Sequence, residues 1–183
     1  MIHIRPAGVA DAPSIAQIHV CSWRAAYRGI MPAAVLDALS IEKRQLSWQK
    51  ILARIRGETD DGRQTVVADE DGRVIGWAGF GPCRDRDVSA ADTAEVYGIY
   101  LDPSVYRQGI GTLLWRDVCL RLAAENHHRA AVWVLQENTA ARGFYEAMGG
   151  VLDSGVTRAI EREGVTLPEV RYWCPTDGPQ KSP

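Results

Sequence analysis

Between Val105 and Trp115 the chain reads VYRQGIGTLLW. Arg107 precedes Gln108, Gly109, Ile110, Gly111 and Thr112, and an apolar helical pattern follows at once. The first N–H groups of a helix have no intrahelical partner, and the helix dipole is positive there. Glycines at the mouth remove side chains that would hold a phosphate away from those N–H groups. Arg107 adds a fixed positive charge. The stretch therefore suits a phosphate or pyrophosphate. The plainer alternative is a tight turn into a helix. A Walker loop needs a lysine between its last glycine and a Ser or Thr, but Thr112 follows Gly111 directly. The dinucleotide fingerprint needs a third glycine where Leu114 stands.

Such a loop needs a strand leading in and a helix leading out. EVYGIYLDP, closed by Pro103, is the strand, and the helix runs to about Asn126. Upstream, IHIRPA alternates as a first strand. GVADAPSIAQIHVCSWRAAYRGI is a helix with Asp11 as N-cap, Pro13 in its first turn and Gly29 at its end. Pro32 opens a short helix through Leu39. Ser40 caps a longer one that Gly57 ends. ETDDGRQ is a loop, and TVVADE with RVIGWAGFGP forms a hairpin around DEDG. PCRDRDVSAADT is charged and small, a mobile loop whose Asp85 and Asp87 either attract a cationic amine or, more plainly, form a solvated charge run. Downstream, RAAVWVLQ is a buried strand, NTAARGFYEAMGG a capped helix, and GVTRAIEREGVTLPEVRYWC two strands joined by a turn. The chain is mixed α/β, with one domain over residues 1–174 and a disordered tail over 175–183.

Composition narrows the class. The 183 residues are 46% hydrophobic and 24% charged, as in a globular domain. A net charge of -2 with interspersed signs gives no field favouring nucleic acid or an anionic membrane. No apolar run approaches the roughly eighteen residues of a membrane span. Cys21, Cys83, Cys119 and Cys174 are scattered, so no CxxC metal or redox pair exists. The start lacks a signal-peptide pattern, which predicts a cytoplasmic protein with reduced thiols. His127 and His128 follow a helix end and make a poor metal pair, so no metal is assigned. His3 and His19 are read as structural.

YRQGIG resembles the cofactor loop of the GNAT superfamily of N-acetyltransferases: Gln or Arg, any two, Gly, any one, Gly or Ala. Tyr106 stands where that pattern has Gln or Arg. The resemblance extends to SWRAAYRGIMPAAVLDALS, EVYGIYLDP and VLQENTAARGFYEAMGG, most of the chain from the first helix to about Gly150. It implies a sheet, mostly antiparallel, that splays open between strands four and five. It also implies direct transfer of an acetyl group from acetyl-CoA to a primary amine, small-molecule or peptide, in a ternary complex.

The resemblance assigns roles residue by residue. Glu95 takes the amine's proton. The plainer alternatives for it are an exposed strand-end glutamate or a structural ion pair. Tyr145 donates to the leaving thiolate, or is an aromatic on an apolar helix face beside Phe144. The backbone at Ile99, Tyr100 and Leu101 holds the pantetheine arm. Arg107, Gln108, Gly109, Ile110, Gly111 and Thr112 hold the pyrophosphate. Asn138 caps its helix and contacts the cofactor. Trp23, Arg24 and Tyr27 lie near the acceptor pocket, where they line it or plug the core, and the spacing of Trp23 and Tyr27 puts them on one helix face. A silent acyl-CoA-binding module and an unrelated phosphate-binding enzyme are the competing readings. An exposed C-terminal strand suits a homodimer.

Overall fold

The computed structural model describes residues 1–54, 61–89 and 92–177. Seven strands form one sheet: β1 (Ile2–Pro6), β2 (Gln64–Glu70), β3 (Arg73–Pro82), β4 (Thr93–Leu101), β5 (Arg129–Leu135), β6 (Val151–Arg162) and β7 (Val165–Pro175). The helices are α1 (Ala12–Ala26), α2 (Ala33–Asp37), α3 (Ile41–Arg54), α4 (Ile110–Ala124) and α5 (Thr139–Ala147). The element order is the one read from the sequence. Gly57, expected to end α3, lies outside the described residues.

The spatial order is β1-β2-β3-β4-β5-β7-β6, with every neighbouring pair antiparallel except β4 and β5. The β2–β3 hairpin turns through Asp71 at φ 51° and Gly72 at φ 88°, both left-handed, which matches strand twist in a two-residue turn. The central strands β2 and β3 are buried on both faces because both faces are covered. Val66, Ala68, Ile75 and Phe80 meet Ile110, Leu114, Val118 and Leu122 of α4. Val67, Val74 and Trp77 meet Ile15 and Ile18 of α1 and Trp48 and Leu52 of α3. Leu114 and Leu122 are fully buried, and truncating either to alanine costs about 2–5 kcal/mol.

Caps match the sequence where they are local. Ser40 Oγ accepts from Lys43 N at 3.2 Å, and Asn138 Oδ1 from Ala141 N at 3.1 Å. Asp11 stands at the N-cap of α1 but makes no side-chain cap bond. Its carboxylate instead accepts from Arg5 at 2.8 Å and from Gly8 N at 2.7 Å.

The wedge between β4 and β5 has a visible cause. The two strands pair only at Thr93–Arg129, Ala94–Ala130 and Glu95–Ala131. Beyond that point β4 carries an extra residue: Phe80 faces Val96 and Gly79 faces Gly98, which leaves Tyr97 as a bulge. A bulge bends its strand and increases its twist. β5 stays aligned with β7 through all seven of its residues, from Arg129–Pro175 to Leu135–Glu169. One strand turns away and the other does not, so the sheet opens.

β7 continues through Pro175, past the boundary drawn from sequence. Thr176 is buried, its N–H donating to His128 O at 3.2 Å and its hydroxyl to His127 O at 2.6 Å. Residues 178–183 of the expected tail lie outside the described residues.

Candidate functional site

On one side of the wedge, the loop after β4 delivers α4. Gly109 is its N-cap at φ 80°, and Leu113 makes the first intrahelical bond, to Gly109 O at 3.1 Å. The N–H groups of Ile110, Gly111 and Thr112 therefore precede the helix's own bonding. Buried Ile110 anchors the turn, while Arg107 and Gln108 are exposed. The two glycines answer different needs. A Cβ on Gly109 would meet nothing within 4 Å, so its left-handed backbone is what requires glycine. A Cβ on Gly111 would come 3.3 Å from the Phe144 ring of α5. Phe144 thus closes on α4 because Gly111 has no side chain, a packing reason the local sequence does not reveal.

Ile99, Tyr100 and Leu101 pair with Ala78, Trp77 and Gly76 of β3 on one edge. Their other edge has lost β5, so alternate N–H and C=O groups face the wedge. Asn138 spends its carboxamide oxygen on the α5 cap. Tyr145 is 6% exposed, edge-on to Trp115 at 5.7 Å and to Phe144 at 5.2 Å. Burial is the main cause that pushes its phenol well above the usual tyrosine value, and nearby Tyr100 adds to it. A phenol so placed stays protonated and serves as a donor.

On the other side of β4 lies a cavity of about 300 Å³. Trp23 and Tyr27 of α1 line it with Glu95 and Tyr100 of β4. Arg24 does not. Its guanidinium caps the α2 region, donating to Leu36 O at 3.2 Å and Leu39 O at 2.9 Å. Adjacent helical positions point apart, and here only the Trp23 and Tyr27 face reaches the cavity.

Glu95 is 1% exposed, neither a strand-end glutamate in solvent nor unpaired. Arg84 clamps it: Oε2 accepts from Arg84 Nε at 2.8 Å and from Arg84 N at 3.1 Å, and Oε1 accepts from Nη2. The Arg84 guanidinium also lies 4.6 Å over the Tyr97 ring. The bulge at Tyr97 and the loop after β3 thus meet at Glu95.

The cavity's back wall is aromatic. Tyr27 and Tyr100 hydroxyls are 3.2 Å apart, and burial foremost raises both phenols. A Cβ on Gly98 would come 2.5 Å from the Tyr100 ring, so Gly98 lets that ring fold back. His19 stacks on Tyr100 at 5.6 Å and accepts from Trp48 Nε1 at 3.3 Å through Nδ1. Burial, with Arg44 adding to it, lowers the His19 pKa to about 3, so the ring is neutral. That agrees with the structural role expected from sequence.

Several residues in the cavity wall and behind it had no local signal. Arg158 of β6 pairs with Glu169 of β7 at 2.6 Å and stacks on Trp133 of β5 at 4.2 Å. Arg171, 2% exposed, binds Asp85 at 2.9 Å, Asp87 at 2.7 Å and Asp153 at 2.8 Å. Trp133 Nε1 also donates to Asp85, at 2.9 Å, and Trp173 Nε1 to Asp153, at 2.9 Å. The segment after β3 is therefore not a solvated charge run up to Asp87: Arg171 ties it to β5, β6 and β7. Ala90 and Ala91 of that loop lie outside the described residues. Among the described residues no group of His, Cys, Asp and Glu side chains could hold a metal ion.

Comparison with known proteins places this geometry. Residues 17–150 match the model of the Acetyltransferase (GNAT) family. An uncharacterized N-acetyltransferase, YuaI, of Bacillus subtilis is 32% identical over 175 residues, 96% of this chain and 94% of its own. A probable N-acetyltransferase of Mycobacterium tuberculosis, Rv2775, is 30% identical, covering 93% of this chain and 92% of its own. The putative acetyltransferase yncA of Salmonella typhimurium, solved with acetyl-CoA, superposes with a TM-score of 0.69 at 20% identity, over 100% of this chain and 98% of that one.

Proposed function

The chain belongs to the GNAT acetyltransferase family, and from that premise we propose that it transfers the acetyl group of acetyl-CoA directly to a primary amine held in the cavity beside β4. The observation that carries this reading is the parting of β4 from β5 just after Glu95 and Ala131. It opens β4's backbone to one side of the wedge, while Glu95 and Tyr100 line a cavity on the other.

The pyrophosphate of acetyl-CoA fits the N–H groups of Gly109, Ile110, Gly111 and Thr112, with Arg107 and Gln108 beside them. The pantetheine arm adds to the open edge at Ile99, Tyr100 and Leu101 as a strand would. One N–H of that edge steadies the oxygen of the thioester carbonyl as charge develops on it. The carboxamide N–H₂ of Asn138 remains for the cofactor. Trp23 and Tyr27 wall the acceptor site.

An alkylammonium with a pKa of about 10 must lose a proton before it attacks. Glu95 receives it, directly or through a water. Among the described residues its Oε1 accepts from Arg84 alone, and a carboxylate oxygen can accept two bonds. The amine nitrogen bonds to the acetyl carbon, the carbon–sulfur bond breaks, and Tyr145 donates to the departing thiolate. Free cysteines at four positions suit a reducing compartment, so we place the reaction in the cytoplasm. Among the described residues no helix is long and apolar enough to cross a membrane.

The three hydrogen bonds from Arg84 to Glu95 would equally suit a chain that binds acyl-CoA without turning it over. Two measurements separate the readings. Acetyl-CoA at a hundred times its Kd should stabilise the fold by about 2.7 kcal/mol, a melting shift of roughly 5–11 °C. CoA should do the same, and ATP and NAD should not. Thiol release from acetyl-CoA with an amine panel then reports turnover. Stabilisation without turnover would favour the silent module, and no stabilisation at saturation would end both readings.

A further inference from the structure

Resting on that acetyltransfer reading, we infer that the acceptor is a small amine that also carries an acidic group, and that Arg162, with the outer nitrogens of Arg158, receives the acid. Arg158, Ile160 and Arg162 alternate along β6, so they share one face of the strand, and all three line the cavity. That face stands across the cavity from Glu95, which belongs to β4.

The charges in the cavity do not cancel. Arg84, Arg158 and Arg162 face only Glu95 and Glu169, an excess of one positive charge among the lining residues. Glu95 is held by Arg84, and Glu169, opposite Arg158 in the strand register, is held by Arg158 Nε. Arg162 has no carboxylate partner among the described residues. Its Nη1 donates to the carbonyl of its neighbour Glu161, at 2.8 Å. Arg158 uses Nε alone, so its two outer nitrogens have no acceptor among the described residues.

A simple alkylammonium brings one positive charge to a cavity already one positive in excess, and a polyamine brings several. An amine with a carboxylate, phosphonate or phosphinate adds no further net positive charge and brings an anion to Arg162, which lacks one among the described residues. A guanidinium fork matches such oxyanions in geometry as well as charge. The volume of about 300 Å³ lies at the small end for ligand sites and suits an amino-acid-sized molecule. In this arrangement the ammonium approaches Glu95 while the acid end reaches the β6 face, so one ligand is fixed by opposite charges at its two ends.

The test is thiol release from acetyl-CoA with matched pairs: α-amino acids and aminophosphonates against their amides and decarboxylated amines. The acid-bearing member should have the higher kcat/KM by about tenfold, mainly through KM. In Arg162→Ala the ratio within each pair should fall toward one, and Arg162→Lys should restore part of it. Arg162 is exposed at the end of β6, so melting curves should show the variants folded. Equal use of both members by the unaltered chain, or a ratio that Arg162→Ala leaves alone, would overturn the inference while leaving acetyltransfer intact. Bound acetyl-CoA with no thiol release to any amine would overturn the acetyltransfer reading and this inference with it.

Discussion

The two sides of β4 are built from different materials. The proposed cofactor side would use backbone N–H groups from a nearly continuous run, Ile99 to Thr112. The acceptor side uses side chains from α1, the loop after β3, β4, β5, β6 and β7. Its supports reach far along the chain, since Arg171 and Asp85 are 86 positions apart. A backbone site needs only the right local conformation, which glycine and a helical pattern specify. A side-chain site needs charges that find one another across the fold. Substitutions on the acceptor side should therefore damage stability and turnover, and leave acetyl-CoA affinity nearly alone.

The largest effect should come from Arg171. Its guanidinium holds three aspartates and lies over two indole rings, 5.5 Å from that of Trp133 and 4.4 Å from that of Trp173. Arg171→Ala removes a buried guanidinium and leaves half-buried Asp85 and Asp153 without their counter-charge. Removing one partner of a buried ionic group costs about 3–5 kcal/mol, and urea unfolding should show a loss in that range. Acetyl-CoA should still raise the melting temperature of whatever remains folded. A variant as stable as the parent would mean the acceptor side does not depend on this long-range hub.

Next is Glu95→Gln. The amide keeps the shape but cannot take a proton, so kcat should fall by about 10²–10³-fold. The stabilisation given by acetyl-CoA should persist. If turnover survives, Glu95 is the structural partner of Arg84 and the proton leaves by another route. Tyr145→Phe should cost less, because water or a backbone N–H can replace part of one hydrogen bond to the thiolate.

The element order, the caps at Ser40 and Asn138, and the glycine-lined mouth of α4 were legible because each rests on neighbours in sequence. The wedge was legible only through family resemblance, since the bulge that opens it depends on which residue of β3 faces Val96. Arg84, Arg158, Arg162 and Arg171 were not legible at all. An arginine in a strand looks the same on paper whether it faces solvent or three aspartates. Arg24 erred the other way: one position from Trp23, it turns to the carbonyls of Leu36 in α2 and Leu39 just beyond it. The run with Asp85 and Asp87 was misread for the same reason, because its counter-charge sits on β7.

A smaller effect tests the backbone side. Gly109 sits at φ 80°, where a side chain costs about 1–2 kcal/mol. Gly109→Ala should shift the helix mouth and raise the KM for acetyl-CoA about tenfold, the equivalent of that strain. The KM for the acceptor should barely move. Equal changes in both constants would mean the two sides of β4 are mechanically coupled.

The smallest effect concerns the residue behind the wall the two sides share. Tyr100 gives its backbone to the cofactor edge and its ring to the cavity, and His19 stacks on that ring. Burial lowers the His19 pKa from 6.5 to about 3. Between those values the unfolded chain binds a proton that the folded chain refuses. The stability His19 contributes is therefore complete above about pH 6.5 and erodes as the pH falls, by at most about 1.4 kcal/mol per unit. Asp69, Asp87, Asp102 and Asp153, held below their usual value by hydrogen bonds, erode stability in the same direction, but from lower pH. The window from pH 6.5 to 5 is thus where His19 acts alone among these groups. Unfolding free energies across it should slope less steeply in His19→Gln than in the parent. Parallel slopes would mean that the ring takes its proton in place, and that the aromatic wall behind Tyr100 admits water.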